Sequence, residues 1–202
     1  MYTLYHAPRS AALGVQALLE IIGVPYSLRS VDIDVNVPRD AQLLSINPNG
    51  WVPALVYEGG AMYEAAAITV FLCDRHPEAG LGPAPDDADR GPFLQWLVYL
   101  SGTLQPAYQM VYYPFRFASH ERDYASVRSR AASRLEEIWR IIDDSLGAGP
   151  WVLGGRFSAC DVYLYMLSTW LLEEHTPISR FANVSRCLER VAAMPEIARV
   201  FD

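Results

Sequence analysis

Positive charge is scarce in this chain: 16 Lys and Arg face 23 Asp and Glu, a formal net charge of -7. A nucleic-acid surface needs clustered cations to neutralise phosphates, so this balance argues against one. Arg128, Arg130 and Arg134 lie close together but share their stretch with Glu136 and Glu137, and read as the solvated face of a helix. Cysteine is also rare. Cys73, Cys160 and Cys187 are far apart in apolar surroundings, which predicts reduced core thiols in a cytoplasmic protein and neither disulfides nor a redox pair. The four histidines, His6, His76, His120 and His175, show no ligand spacing, so no metal is expected. No apolar run approaches the length of a membrane span, and Met1 leads into a strand-like segment without a charged leader. Neither membrane insertion nor export is therefore expected.

What the chain does have is apolar mass, 51% of its 202 residues, enough for a core that needs no covalent staples. Tyr2 to His6 reads as a strand, and Ser10 to Ile22 as a helix apolar on several sides and closed by Gly23. Tyr26 to Ile33 reads as a second strand, and Arg39 to Leu44 as a short helix. Pro53 lacks an N–H for a sheet ladder, so it is expected just ahead of a strand at Ala54 to Tyr57. Gly59-Gly60 reads as a two-residue hairpin loop into Ala61 to Tyr63, after which a helix opens at Glu64 and runs to Arg75. The order is β-α-β-α-β-β-α.

Between His76 and Gly91 the sequence turns to proline, glycine and aspartate, the chemistry of a loop between domains. Beyond it the apolar spacing is helical: Val127, Ala131, Leu135, Ile138 and Ile142, then Val162 to Leu172, then Phe181, Val184, Leu188 and Val191. Pro106 and Pro114 should bend or break the first of these helices, since each removes a backbone donor. Ser158 and Asp161 stand three residues apart before an apolar run, as the two members of a capping box. Satisfying helix-end N–H groups accounts for both side chains, so Asp161 is expected to be structural and not a catalytic acid.

The order Asn47-Pro48-Asn49-Gly50-Trp51-Val52-Pro53-Ala54-Leu55, then Glu64 opening Glu-Ala-Ala-Ala-Ile, then Asp74-Arg75-His76-Pro77, then Phe157-Ser158-Ala159-Cys160-Asp161 resembles the glutathione S-transferase superfamily along essentially the whole chain. The resemblance is nearest to its bacterial, delta- and theta-like serine members. It implies an α/β plus all-α architecture: a thioredoxin-like domain at residues 1–77, a linker at 78–90 and an all-helical domain at 91–202 carrying the electrophile pocket. It also implies glutathione as co-substrate, a homodimer, and a role in detoxification.

Carried over residue by residue, the resemblance makes the Val52-Pro53 bond cis and gives Val52 the backbone that pairs with the cysteinyl unit of glutathione. Glu64 would contact the γ-glutamyl amine, and the amide of Ala65 its carboxylate at a helix N-terminus. Two positions depart from the pattern. Ala65 stands where many relatives have Ser or Thr, and Trp51 where many have Lys, Arg or Gln for the glycyl end, so Trp51 offers an apolar wall instead.

Ser10, two residues after Pro8, aligns with the serine that donates to the glutathione thiolate; Tyr5 at the strand end is the second candidate. The plain alternative for Ser10 is a helix cap worth about 1 kcal/mol. Tyr108, Tyr112 and Phe115 fall at helical spacing and are expected to line the pocket for a small apolar electrophile. The rival to an enzyme is a non-catalytic member that uses the same fold to hold ligands or proteins.

Overall fold

A computed structural model describes residues 1–171 and 177–201. The chain divides into two compact units, Met1–Asp87 with Val191–Asp202, and Ala88–Arg190. The first holds a four-stranded mixed sheet of β1 (Tyr2–His6), β2 (Tyr26–Ser30), β3 (Ala54–Tyr57) and β4 (Gly60–Tyr63), in the order β2-β1-β3-β4. β1 pairs parallel with β2 and antiparallel with β3, which pairs antiparallel with β4. With α1 (Ala12–Ile22), α2 (Ala41–Ile46) and α3 (Ala65–Arg75) interleaved, this is the expected β-α-β-α-β-β-α order of a thioredoxin-like unit.

α1 buries Ala12, Val15, Ala17, Leu18 and Leu19, as an all-round apolar helix must. It ends at Gly23, whose φ of 74° is costly for a residue with a Cβ and whose N–H caps Leu19 and Glu20. β2 is shorter than the apolar run suggested. Its partner β1 stops at His6, and beyond Val31 the carboxylates of Asp32 and Asp34 accept from the N–H groups of Asp34 and Asn36, each at 2.8 Å. Such side-chain turns draw the backbone away from a ladder. The hairpin loop is Glu58-Gly59, one residue earlier than expected, because Gly60 already pairs with Tyr57 and the left-handed φ of 93° falls on Gly59. α2 starts two residues later than expected, since Asp40 caps it by accepting from Leu43 N–H at 2.8 Å.

The second unit is helical: α4 (Arg90–Tyr99), α5 (Gln105–Tyr112), α6 (Tyr124–Leu146), α7 (Ala159–Ser168) and most of α8 (Ala182–Ala192). A π turn at Leu100–Leu104 joins α4 to α5, the Gln105 N–H reaching back to the Leu100 carbonyl. Pro106 follows at once, and its missing N–H explains why the regular ladder is broken there. Pro114 lies in a 3₁₀ turn just past the end of α5. α6 turns Ala131, Leu135, Ile138, Trp139 and Ile142 inward. Its Asp143 caps α8 from outside, accepting from Asn183 and Val184 N–H at 2.8 and 2.9 Å.

α7 opens with the expected capping box. Asp161 is fully buried and accepts from Ser158 N–H at 2.8 Å, Val152 N–H at 2.7 Å, the Ser158 hydroxyl at 3.2 Å and the Cys187 thiol at 3.6 Å. Burial pushes its pKa up to about 6, against the lowering effect of those donors. Burial and the facing carboxylate push the Cys187 thiol up as well. All three cysteines are buried thiols that form no disulfide. Leu172 and His175, the expected end of α7 and one of the four histidines, lie outside the described residues.

The last helix, α9 (Pro195–Phe201), packs against α1 and belongs to the first unit. The resemblance had placed residues 195–201 with the rest of 91–202 in the all-helical domain. An amphipathic stripe says that a face is buried but not against which partner.

Candidate functional site

Strand direction brings the motif residues of the first unit to one end of the sheet. Ala54, the first residue of β3, pairs with Tyr5 near the end of β1 and with Tyr63 at the end of β4. The segment after β1 (Ala7 to Ala11), the residues before β3 (Val52 and Pro53) and those after β4 (Glu64 and Ala65) therefore emerge together. The parallel β2 delivers residues 31–40 to the same end.

Backbone strain concentrates there. Among the described residues, Arg9 at 56° and Glu64 at 75° are the non-glycine positions with positive φ, and both follow strands that finish at this end. A side chain held in such a conformation costs about 1–3 kcal/mol and persists where the surroundings impose it, a pattern common at binding sites. Glu64 is exposed, and its carboxylate makes no capping bond and has no partner among the described residues, while its carbonyl accepts from Ile68 N–H at 2.9 Å. The first-turn N–H groups of α3 consequently lack a side-chain acceptor, and they begin at Ala65, itself 6% exposed. An uncapped helix start favours an anion.

The Val52-Pro53 bond is cis, and Pro53 directly precedes β3, as expected. Val52 packs its side chain against Tyr5, Val31, Leu43 and Ala54. Its backbone N–H and C=O find no partner among the described residues. The preceding loop is fixed by Asn47, 3% exposed, whose side-chain N–H donates to the Trp51 carbonyl at 2.8 Å and whose Oδ1 accepts from Asn49 N–H at 3.1 Å. Trp51 lies under the guanidinium of Arg39, 4.5 Å from its ring centroid. Sequence reasoning missed Arg39 as a neighbour of this site, since a pair twelve residues apart across a loop leaves no periodic trace.

Ser10 is 7% exposed, and its hydroxyl donates to the Ala7 carbonyl at 2.6 Å while accepting from Ala12 N–H at 3.3 Å. It thus ties the strand-to-helix turn to the start of α1. Tyr5 is 6% exposed, its ring in the cluster with Leu43 and Val31 and beneath the Arg29 guanidinium at 5.1 Å.

The three aromatic residues expected at the electrophile pocket differ in exposure, although the rings of Tyr108 and Tyr112 stack with centroids 6.5 Å apart. Tyr108 is 2% exposed, and its hydroxyl accepts from the Trp139 indole at 3.2 Å inside the helical unit. Burial raises its pKa. Tyr112 and Phe115 are 37% and 45% exposed, and the Tyr112 hydroxyl donates to the Trp170 carbonyl at 2.6 Å. Phe115 belongs to an exposed aromatic turn in which Arg116 lies 4.4 Å from the Tyr113 centroid and 5.8 Å from that of Phe115.

Comparison with known proteins agrees with this geometry. Residues 1–73 match the family model for the glutathione S-transferase N-terminal domain. Glutathione S-transferase GstA of Escherichia coli O157:H7 is 25% identical over 196 residues, covering 96% of this chain and 94% of its own. A glutathione transferase from Methylococcus capsulatus, at 27% identity, superposes with a TM-score of 0.85 over 100% of this chain and 97% of the other. A Sulfitobacter glutathione transferase homologue, whose structure contains bound glutathione, shares the fold with a TM-score of 0.90 at 24% identity, over 99% and 96% of the two chains. With the fold, the motif order and these alignments in agreement, residues 1–73 match the glutathione S-transferase N-terminal domain and the chain is similar along its length to glutathione transferases.

Proposed function

We propose that this chain is a glutathione transferase that binds glutathione at the loaded end of the sheet and directs its thiolate at a small apolar electrophile. The observation that carries the reading is the convergence of an unpartnered carboxylate at Glu64, an uncapped helix start at Ala65 and a Val52 backbone with no partner among the described residues. An amino-acid terminus needs both an acceptor for its ammonium and donors for its carboxylate, and Glu64 with the Ala65 amide offer that pair. Val52 then pairs with the middle of the peptide, while Trp51 walls the glycyl end. Ala65 contributes no hydroxyl, so the γ-glutamyl carboxylate relies on backbone donors.

Bringing a free thiol from pKa about 8.5 to about 6.5 takes about 2.7 kcal/mol of selective anion stabilisation. A hydroxyl donating to a charged acceptor contributes about 1.5–3 kcal/mol and a helix start up to about 1 more. Ser10 at the head of α1 combines both, by turning its proton from the Ala7 carbonyl to the sulfur. Tyr5 is the second candidate donor. On the electrophile side Tyr112 and Phe115 offer accessible aromatic surface, whereas Tyr108 supports them from the core. The reading includes a cytoplasmic homodimer with a detoxifying role, to be checked by light scattering and fractionation.

A second reading is favoured by one observation: the Ser10 proton is already engaged with Ala7 at 2.6 Å, which suits a ligand-holding member without catalysis. Calorimetric titration with glutathione and a conjugation assay with an activated aryl chloride separate the two. Saturable binding with turnover supports the transferase, binding without turnover supports the holder, and absence of binding removes both.

A further inference from the structure

We propose that the aromatic turn after α5, together with the arginines beside it, is a docking surface for an anionic lipid bilayer. The surface lies wholly in the helical unit and does not depend on the glutathione reading.

The turn exposes apolar rings that its own backbone keeps from folding inward. Phe115 and Phe117 are 45% and 48% exposed, while Pro114 is buried and anchors the turn. The Pro114 carbonyl accepts from Phe117 N–H at 2.9 Å and Ala118 N–H at 3.1 Å, and the Tyr113 carbonyl accepts from Arg116 N–H at 3.0 Å. At the entry to the turn, the Tyr112 hydroxyl is fixed on the Trp170 carbonyl at 2.6 Å. Two neighbouring phenylalanines held in water on a closed turn forgo the burial that drives such rings inward, and exposed apolar surface of this kind marks a contact surface.

Charge selects the partner. Residues 112–130 hold 4 arginines against 2 carboxylates, whereas the rest of the chain holds 12 against 21 (16 minus 4, and 23 minus 2). An otherwise acidic molecule is therefore cationic around its exposed rings. Arg116 lies 4.4 Å from the Tyr113 centroid and 5.8 Å from that of Phe115. Arg128 of α6 donates through Nε to the Val111 carbonyl at 3.3 Å, one residue before Tyr112. Arg122 and Arg128 are exposed and have no carboxylate partner among the described residues.

Aromatic rings flanked by arginines are the composition of an interfacial anchor, with the rings at the acyl boundary and the cations among the headgroups. A stable protein partner covers about 800 Å² on each side, far more than a five-residue turn presents. Shallow insertion of two rings needs no more than the turn. No helix among the described residues is long and apolar enough to cross a bilayer, so the contact is peripheral. Small apolar molecules accumulate in bilayers, and docking brings the proposed transferase to the reservoir of its electrophile.

The test is flotation of the full chain with vesicles of phosphatidylcholine alone and of phosphatidylcholine mixed with phosphatidylglycerol, at low and high salt. Phe117→Ser, Arg122→Gln and Arg190→Gln are compared with the wild type, the last making the same charge change on exposed α8. The wild type is expected to float with the anionic vesicles and not with the neutral ones, and high salt should release it. Phe117→Ser should weaken binding about tenfold and Arg122→Gln about fivefold, with Arg190→Gln unchanged. Thermal melting confirms that the variants are folded. A wild type without anionic preference, equal losses in Arg122→Gln and Arg190→Gln, or full binding by Phe117→Ser overturns the docking assignment. Retention on immobilised polyglutamate without vesicle binding overturns it too and gives the surface to an acidic protein. Neither Phe117 nor Arg122 lies in the sheet unit, so glutathione titration of the same samples shows separately whether the glutathione reading stands.

Discussion

Replacing Ser10 by alanine removes a hydroxyl that is committed on both sides, and the structure sets the size of each consequence. The lost bonds are the 2.6 Å donation to the Ala7 carbonyl and the 3.3 Å acceptance from Ala12 N–H. Loss of one buried neutral pair and one weak cap lowers stability by about 1–2 kcal/mol. Catalysis sees a smaller term than a free hydroxyl would give. To donate to thiolate, Ser10 must release Ala7, forfeiting about 1 kcal/mol, and gain about 1.5–3 kcal/mol from the charged sulfur. The net of about 0.5–2 kcal/mol predicts a rise of about 0.4–1.5 units in the pKa of the bound thiol and a fall of about 2- to 30-fold in turnover at neutral pH. Glutathione affinity, referred to the neutral thiol, should change little. The ultraviolet absorbance of the thiolate, followed against pH in the wild-type and mutant complexes, reads the first quantity directly. Coincident titration curves with equal turnover in folded protein would refute the reasoning, leave Ser10 as a clasp on the turn, and move the search for a donor to Tyr5.

Asp161→Ala leaves the Ser158 and Val152 N–H groups without their acceptor, so chemical denaturation should show a loss of about 2–5 kcal/mol with activity per folded molecule unchanged. The same carboxyl titrates at about 6 when folded, above its ordinary 3.8. A raised folded pKa gives a stability contribution that is full below pH 3.8 and lost as pH rises through about 6. The stability advantage of wild type over Asp161→Asn should therefore shrink between pH 4 and pH 7, as measured by denaturant midpoints, and an advantage that grows would contradict this assignment. Glu64→Gly relieves the φ of 75° and should stabilise the fold by about 0.5–2 kcal/mol while reducing glutathione affinity at least about tenfold, since a charged partner is lost. Paired melting and calorimetry check both halves, and a variant that gains stability without losing affinity would remove Glu64 from the site.

Features governed by a short local rule were legible in the sequence. Ser158 and Asp161 need only three residues of helix geometry to define each other, and Pro53 before an apolar run needs only its missing N–H. Where competing local bonds decide, the boundaries moved. Asp32 and Asp34 end β2 early, Asp40 sets the start of α2, and Gly59 rather than Gly60 occupies the left-handed corner. Tyr108 and Tyr112 belong to one helical run, yet only the packing of Trp139 reveals that the first is interior and the second exposed. The Arg39 contact with Trp51 depends on how a loop closes over Gly50, and helix or strand period carries no information about that.

The first unit is assembled from two stretches of chain, Met1–Asp87 and Val191–Asp202, with α9 against α1 and Arg199 paired to Glu20 at 2.9 Å. On a translating ribosome this imposes a waiting time. The 103 residues between the two stretches (190 minus 87) take about 5–20 s to make at about 5–20 residues per second. Throughout that interval the apolar α1 surface that α9 will cover is without its lid. The nascent sheet unit is thus a customer for chaperones until residues 191–201 emerge, and a ribosome stalled within α8 would display a nearly complete but uncovered fold.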